Sequence, residues 1–97
     1  MIKLIDIKPS PNKEKKFRAT FYINNKKDYI HIDFGARGFE DYTIHKDPER
    51  KKRYIERHKR NENWNDPLSP GALSRYILWE YTDLNKAIRE YKKRFKL

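Results

Sequence analysis

Apolar and polar residues alternate with a period of two in two stretches near the start of the chain. Phe17, Ala19, Phe21 and Ile23 alternate with Arg18, Thr20 and Tyr22, and Ile30, Ile32 and Phe34 alternate with Tyr29, His31 and Asp33. That period marks half-buried β-strands. Asn24-Asn25-Lys26-Lys27 lies between them and reads as a turn, since asparagine tolerates left-handed backbone, so the two strands form a hairpin. Residues 2–7 are a short β-rich run that ends at Pro9-Ser10-Pro11-Asn12, because proline cannot donate to a ladder. The three strands predict a small antiparallel sheet. Gly35-Ala36-Arg37-Gly38 is expected to break the last strand, and residues 39–44 to be irregular or extended.

The pattern then changes to helical spacing. Asp47-Pro48 reads as an N-cap and first helical residue, with the helix running to about Lys59. Tyr54, Ile55 and His58 share one narrow face with the stem of Lys51, while Arg50, Lys52, Arg53, Arg57 and Arg60 cover much of the rest. Ser69-Pro70 starts a second, mostly apolar helix that carries Leu73, Tyr76, Ile77 and Trp79. Thr82 or Asp83 caps a third, in which Leu84, Ala87, Ile88, Tyr91 and Phe95 form an amphipathic stripe. Strands followed by helices predict an α+β fold: a three-stranded antiparallel sheet with three α-helices packed on one face. The 97 residues form one domain, with residues 1–44 its β-rich part and 45–97 its helical part. Aliphatic residues are few, so Phe17, Phe21, Phe34, Tyr76, Trp79, Tyr91 and Phe95 are expected to build the core.

Composition turns attention from the core to the surface. Charged residues make up 39% of the chain and the net charge is +10. Eight basic residues against three acidic ones fall within residues 45–60, so half of the excess lies in 16 positions. Such a surface suits polyanions, and arginine adds bidentate geometry towards phosphate. The expected nucleic-acid contacts are Arg50, Lys52, Arg53, Arg57, Lys59 and Arg60, with Arg18, Arg37, Lys46 and the basic end of the third helix (Lys92, Lys93, Arg94 and Lys96) widening the footprint. Duplex DNA is the expected partner. No base-reading motif is visible, so sequence preference should be weak. Tyr22 and Tyr29 fall on the polar sheet face and are candidates for stacking. Trp64, in a polar loop beside the basic helix, either plugs the helix packing or meets a partner.

The remaining chemistry narrows quickly. There is no cysteine, which excludes disulfides and thiolate-bound zinc. No apolar run is long enough to span a bilayer, and the N-terminus lacks the apolar segment of a signal peptide, so an intracellular protein without a membrane partner is expected. His45 and His58, near Asp41, Asp47 and Asn61, raise a metal-dependent nuclease of the His-Asn-His kind, but the order of residues is only loosely similar and the third histidine, His31, does not fall where one is needed. His58 reads better as a packing residue and His45 as a structural hydrogen-bonder before the cap. Gly35 and Gly38 are followed by no lysine-serine/threonine pair, so they form no phosphate loop. No enzymatic activity and no cofactor are expected.

The block from Phe34 to Trp79 adds a resemblance. Phe34-Gly35, Asp41-Tyr42-Thr43-Ile44-His45-Lys46-Asp47, Arg50, Arg53-Tyr54, Arg57-His58, Asn61-Glu62-Asn63-Trp64, Gly71, Ser74-Arg75 and Leu78-Trp79 together resemble a family of short, basic, uncharacterised proteins. That family is encoded by large nucleocytoplasmic DNA viruses of algae and amoebae. The resemblance implies a viral origin and a setting inside the host cell (cytoplasm, virus factory or nucleus) or in the virion. It supplies no catalytic residues. It implies that a small basic protein of this kind either contacts the genome or is a minor structural or adaptor component of the virion, with viral structural proteins as partners.

Overall fold

The bulge in the first strand decides which of its residues reach the core. In the computed structural model, which describes residues 2–97, β1 (Ile2–Pro9), β2 (Lys15–Ile23) and β3 (Asp28–Ala36) form an antiparallel sheet in the order β1-β2-β3. Strict alternation from Ile2 and Leu4 would place Asp6 inside. Instead the register shifts between Leu4 and Asp6. Ile5 becomes the extra residue and is 47% exposed, and Ile7 returns to the inner face opposite Ala19. Ile2, Leu4 and Ile7 thus pair with Ile23, Phe21 and Ala19, and this row joins the core.

The last strand does not break at Gly35 as expected. It continues to Ala36, which pairs with Lys15, and the chain turns after it at Gly38. Gly35 has φ +78°, and a Cβ there would sit 2.7 Å from Leu78 Cδ1 and 3.3 Å from Lys16 Cβ. Glycine is required at this point on both counts. It lets the helical layer approach the sheet backbone.

Residues 39–44 also differ from the expectation. Tyr42–His45 is a single helical turn, α1. Asp41 caps it through Thr43 N–H, and Lys46 ends it in the left-handed region at φ 56°. Four residues are too few to show a helical period, which is why the alternation alone did not reveal it. α2 follows at Pro48–His58, capped by Asp47 as expected. α3 (Pro70–Leu73) is capped by Ser69 and runs directly into a π-helical segment, Ser74–Leu78. α4 (Leu84–Phe95) starts at Asp83, which accepts from Asn85 and Lys86 N–H.

Leu73, Ile77 and Leu78, together with Ala87 and Tyr91 of α4, meet Leu4, Ala19, Phe21 and Phe34 of the sheet in one buried cluster. The α+β class is as expected, with α3, the π-helical segment and α4 closing the core. α2 packs differently. Its one buried residue, Tyr54, lies outside that cluster and rests on Trp79. α2 is therefore held beside the core by aromatic contacts, and a cleft opens between it and the sheet.

Candidate functional site

Two contacts fasten α2 and leave Arg53 and Arg57 free. The ring of Tyr54 stacks on Trp79 at 4.3 Å and 4°, and on its other side His58 stacks at 4.3 Å and 28°. His45 follows beyond Trp79 at 5.3 Å and Tyr42 beyond His45 at 6.2 Å. His45 Nδ1 accepts the Asp47 N–H at 2.9 Å, so the proton of the neutral ring sits on Nε2. Burial raises the Tyr54 hydroxyl pKa well above its ordinary value, with the Glu62 charge adding to the effect. The second contact is Lys51, whose Nζ donates to the Glu80 carbonyl at 3.0 Å and lies over the Tyr42 ring.

The cleft has a volume of about 650 Å³. Lys15, Lys16, Gly35 and Ala36 line it from the sheet, Arg50, Arg53 and Arg57 from α2, Glu62, Gly71 and Ser74 from the region of α3, and Leu78 and Trp79 from the end of the π-helical segment. Phe39 and Asp41 come from the loop between β3 and α1.

Its three carboxylates are already occupied. Asp41, only 2% exposed, accepts from Lys16 Nζ at 2.6 Å and from Thr43 N–H at 2.9 Å. Glu40 pairs with Arg50 at 3.1 Å. Glu62 accepts the Trp64 indole N–H at 2.8 Å and lies 3.1 Å from His58 Nδ1. Among the described residues, Lys15, Arg53 and Arg57 line the cleft with no carboxylate within ion-pair distance. Arg53 and Arg57 are exposed and four residues apart on α2, so they lie on one face about 6 Å apart along the axis.

The structure separates the expected contacts into free and occupied groups. Lys52, Arg53, Arg57 and Arg60 are exposed and carry no ion pair among the described residues, and Lys46 is exposed at the end of α1. Arg50 and Lys59 are partly engaged with Glu40 and Glu56. Arg18 spends its guanidinium on both oxygens of Asp33, at 2.8 and 3.1 Å. That hydrogen bonding holds the Asp33 carboxyl below the usual carboxylate range, and the charge of Arg18 assists. Arg37 donates to the carbonyls of Lys15 and Ser10 at 3.1 and 3.0 Å, which ties the β1–β2 loop to the end of β3. Arg18 is thus held by its ion pair on the sheet, and Arg37, exposed, is held beside Lys15 at the end of β3.

The aromatic candidates also divide. Tyr22 and Tyr29 are cross-strand partners with rings 5.0 Å apart, on the face of the sheet away from Phe34 and the core. Trp64 is half-buried, with its indole on Glu62 and the Arg75 guanidinium 5.3 Å over its ring. It serves the packing of its own loop. His45 and His58 lie at opposite sides of the Tyr54–Trp79 pair, and among the described residues no three His, Cys, Asp or Glu side chains gather as a metal cage.

Lys15 and the Lys16–Asp41 pair escaped the sequence reading. Lys15 sits within a polar run that reads as a solvated loop. Phe39 carried a usable signal, a single aromatic between Gly38 and two acidic residues, and it is 73% exposed.

Comparison with known proteins supplies a family. A family of unknown function (DUF5754) matches residues 5–58, more than half of the 97, and the chain belongs to it. The match takes in most of β1, all of β2, β3, α1 and α2, and so the Lys15, Arg53 and Arg57 side of the cleft. No curated protein and no solved structure matches the chain. Among the described residues no helix is long and apolar enough to cross a membrane.

Proposed function

We propose that this protein binds nucleic acid with little sequence preference, through phosphate contacts from the exposed side of α2. The observation that carries the reading is the pair Arg53 and Arg57, unpaired and one turn apart beside the cleft. Lys52, Arg60 and Lys46 are exposed and add positive charge around this pair. Of the nearby carboxylates, Asp41 and Glu40 are paired with Lys16 and Arg50, and Glu62 is held by Trp64 and His58, so the cleft's cations outnumber its carboxylates. Within the viral setting that the sequence resemblance implies, the role is association with the genome or its packaging.

A second reading has its own support. Phe39 and Ile44 are 73% and 55% exposed near the cationic surface, and apolar anchors beside positive charge also suit an acidic protein face. This would make the chain a minor structural or adaptor protein of the virion. Titration with duplex DNA at low and high salt separates the two. Genome association requires binding at low salt, a steep loss as salt rises, and a large loss when Arg53 and Arg57 are changed to Glu. Failure to bind either duplex or single-stranded DNA at low salt would leave the adaptor reading.

A further inference from the structure

We infer that the cleft beside α2 takes one unpaired nucleotide of a single-stranded nucleic acid, with the phosphate on Arg53 and Arg57 and the base against Phe39. The inference rests on the nucleic-acid reading above and specifies its ligand.

The first argument is size. A volume of about 650 Å³ lies within the range of small-ligand pockets, and a single nucleotide is a ligand of that scale. A duplex keeps its bases stacked inside, so it can touch the rim of the cleft but cannot fill it. A splayed nucleotide can.

The second is chemistry. Lys15, Arg53 and Arg57 are the cleft cations with no carboxylate partner among the described residues. Asp41, Glu40 and Glu62 are already engaged by Lys16, Arg50 and the His58–Trp64 pair. The lining therefore presents net positive charge to whatever enters, and guanidinium groups suit phosphate oxygens.

The third is the unused aromatic surface. Most of the chain's large apolar side chains are buried or half-buried, yet Phe39 lines the cleft while 73% exposed. It follows Gly38, which has φ +92° and nothing within 4 Å of a Cβ position, so the ring stands on an open turn. No side chain among the described residues stacks on it at aromatic-pair distance, whereas Tyr54, Trp79 and His58 are committed to one another. An exposed ring next to unpaired arginines is the combination that binds single strands: every base offers a π-face, and the cations track the backbone.

The test compares a short single-stranded oligo-dT with a blunt duplex of equal phosphate number, at one low ionic strength, on the full chain. Binding is followed by fluorescence anisotropy and by the amide NMR shifts of Gly35, Gly38 and Gly71. The single strand should bind more tightly and shift Gly35 and Gly38. Phe39→Ala should weaken the single strand by roughly five- to 150-fold, the range set by losing one base–aromatic stack. It should leave the duplex within about two-fold, and Phe39→Trp should restore single-strand binding. Equal losses on both ligands, no loss on either, or a preference for duplex would overturn the inference while leaving the nucleic-acid reading intact. Tight binding of poly-glutamate that is lost in Phe39→Ala would overturn it in favour of a protein partner. No binding of either nucleic acid would overturn both.

Discussion

The rings of Tyr54 and Trp79 stack 4.3 Å apart with their planes 4° from parallel. This contact sets where α2 stands. Tyr54 is the one buried residue of the helix, so its position depends on this ring and on the Lys51 contact to Glu80 rather than on a broad apolar face. Tyr54→Ala should cost about 3–5 kcal/mol, the usual range for deleting a large buried aromatic. Tyr54→Phe keeps the stack and should cost less than about 1 kcal/mol. Urea unfolding measures both.

The same burial makes a pH prediction. The Tyr54 and Tyr91 hydroxyls are held neutral above the ordinary tyrosine pKa of 10.0, chiefly by burial. Above that value the unfolded chain releases protons that the folded chain keeps. Stability is therefore complete below it and falls as pH rises further. The urea midpoint should drop between about pH 9 and pH 11, and the drop should shrink in a Tyr54→Phe, Tyr91→Phe double variant. An equal drop in the double variant would point to other groups.

Asp41 joins the sheet to α1. Its carboxylate is buried, pairs with Lys16 at 2.6 Å and caps the helical turn through Thr43. Lys16→Met leaves that charge buried without its cation, and should cost about 3–5 kcal/mol in chemical denaturation. Changing the exposed Lys59, which pairs with Glu56 on the same helix, should cost less than about 1 kcal/mol.

Gly35 should tolerate no side chain. Alanine would meet Leu78 Cδ1 at 2.7 Å in a backbone conformation with φ +78°. Strain of about 1–3 kcal/mol is expected from the backbone alone, with displacement of Leu78 added to it. Gly38→Ala, with open space around it at φ +92°, bears only the backbone part. The difference in melting temperature between the two variants isolates the contact.

Much of the fold could be read before the structure, for reasons these residues illustrate. Phe17 to Ile23 and Ile30 to Phe34 alternate strictly because one face of the hairpin is buried and the other is wet. Asp47-Pro48, Ser69-Pro70 and Asp83 mark helix starts because a side-chain oxygen must meet an orphan N–H, and each does. The β1 bulge was not legible, since it depends on pairing with β2 and not on the order of residues in β1. Nor was the cleft. It assembles Lys15, Phe39 and Arg53 from three separate segments, and its charge depends on which carboxylates find partners across the fold. A wheel drawn on α2 shows where its arginines can point. It cannot show that Arg18 and Arg37, equally basic in sequence, are consumed by Asp33 and by backbone carbonyls.

The central claim is that Arg53 and Arg57 are the phosphate contacts at the heart of the interface. Its most direct test is the salt dependence of DNA binding, compared between the unaltered chain and the Arg53→Gln, Arg57→Gln double variant. Each lost phosphate contact lowers the slope of log K against log salt by about 0.9, so the double variant should lose a slope of about 2, while a control with Lys92 and Lys93 of α4 changed to Gln should change it far less. An unaltered slope in the double variant, or an equal reduction in the control, would contradict the claim.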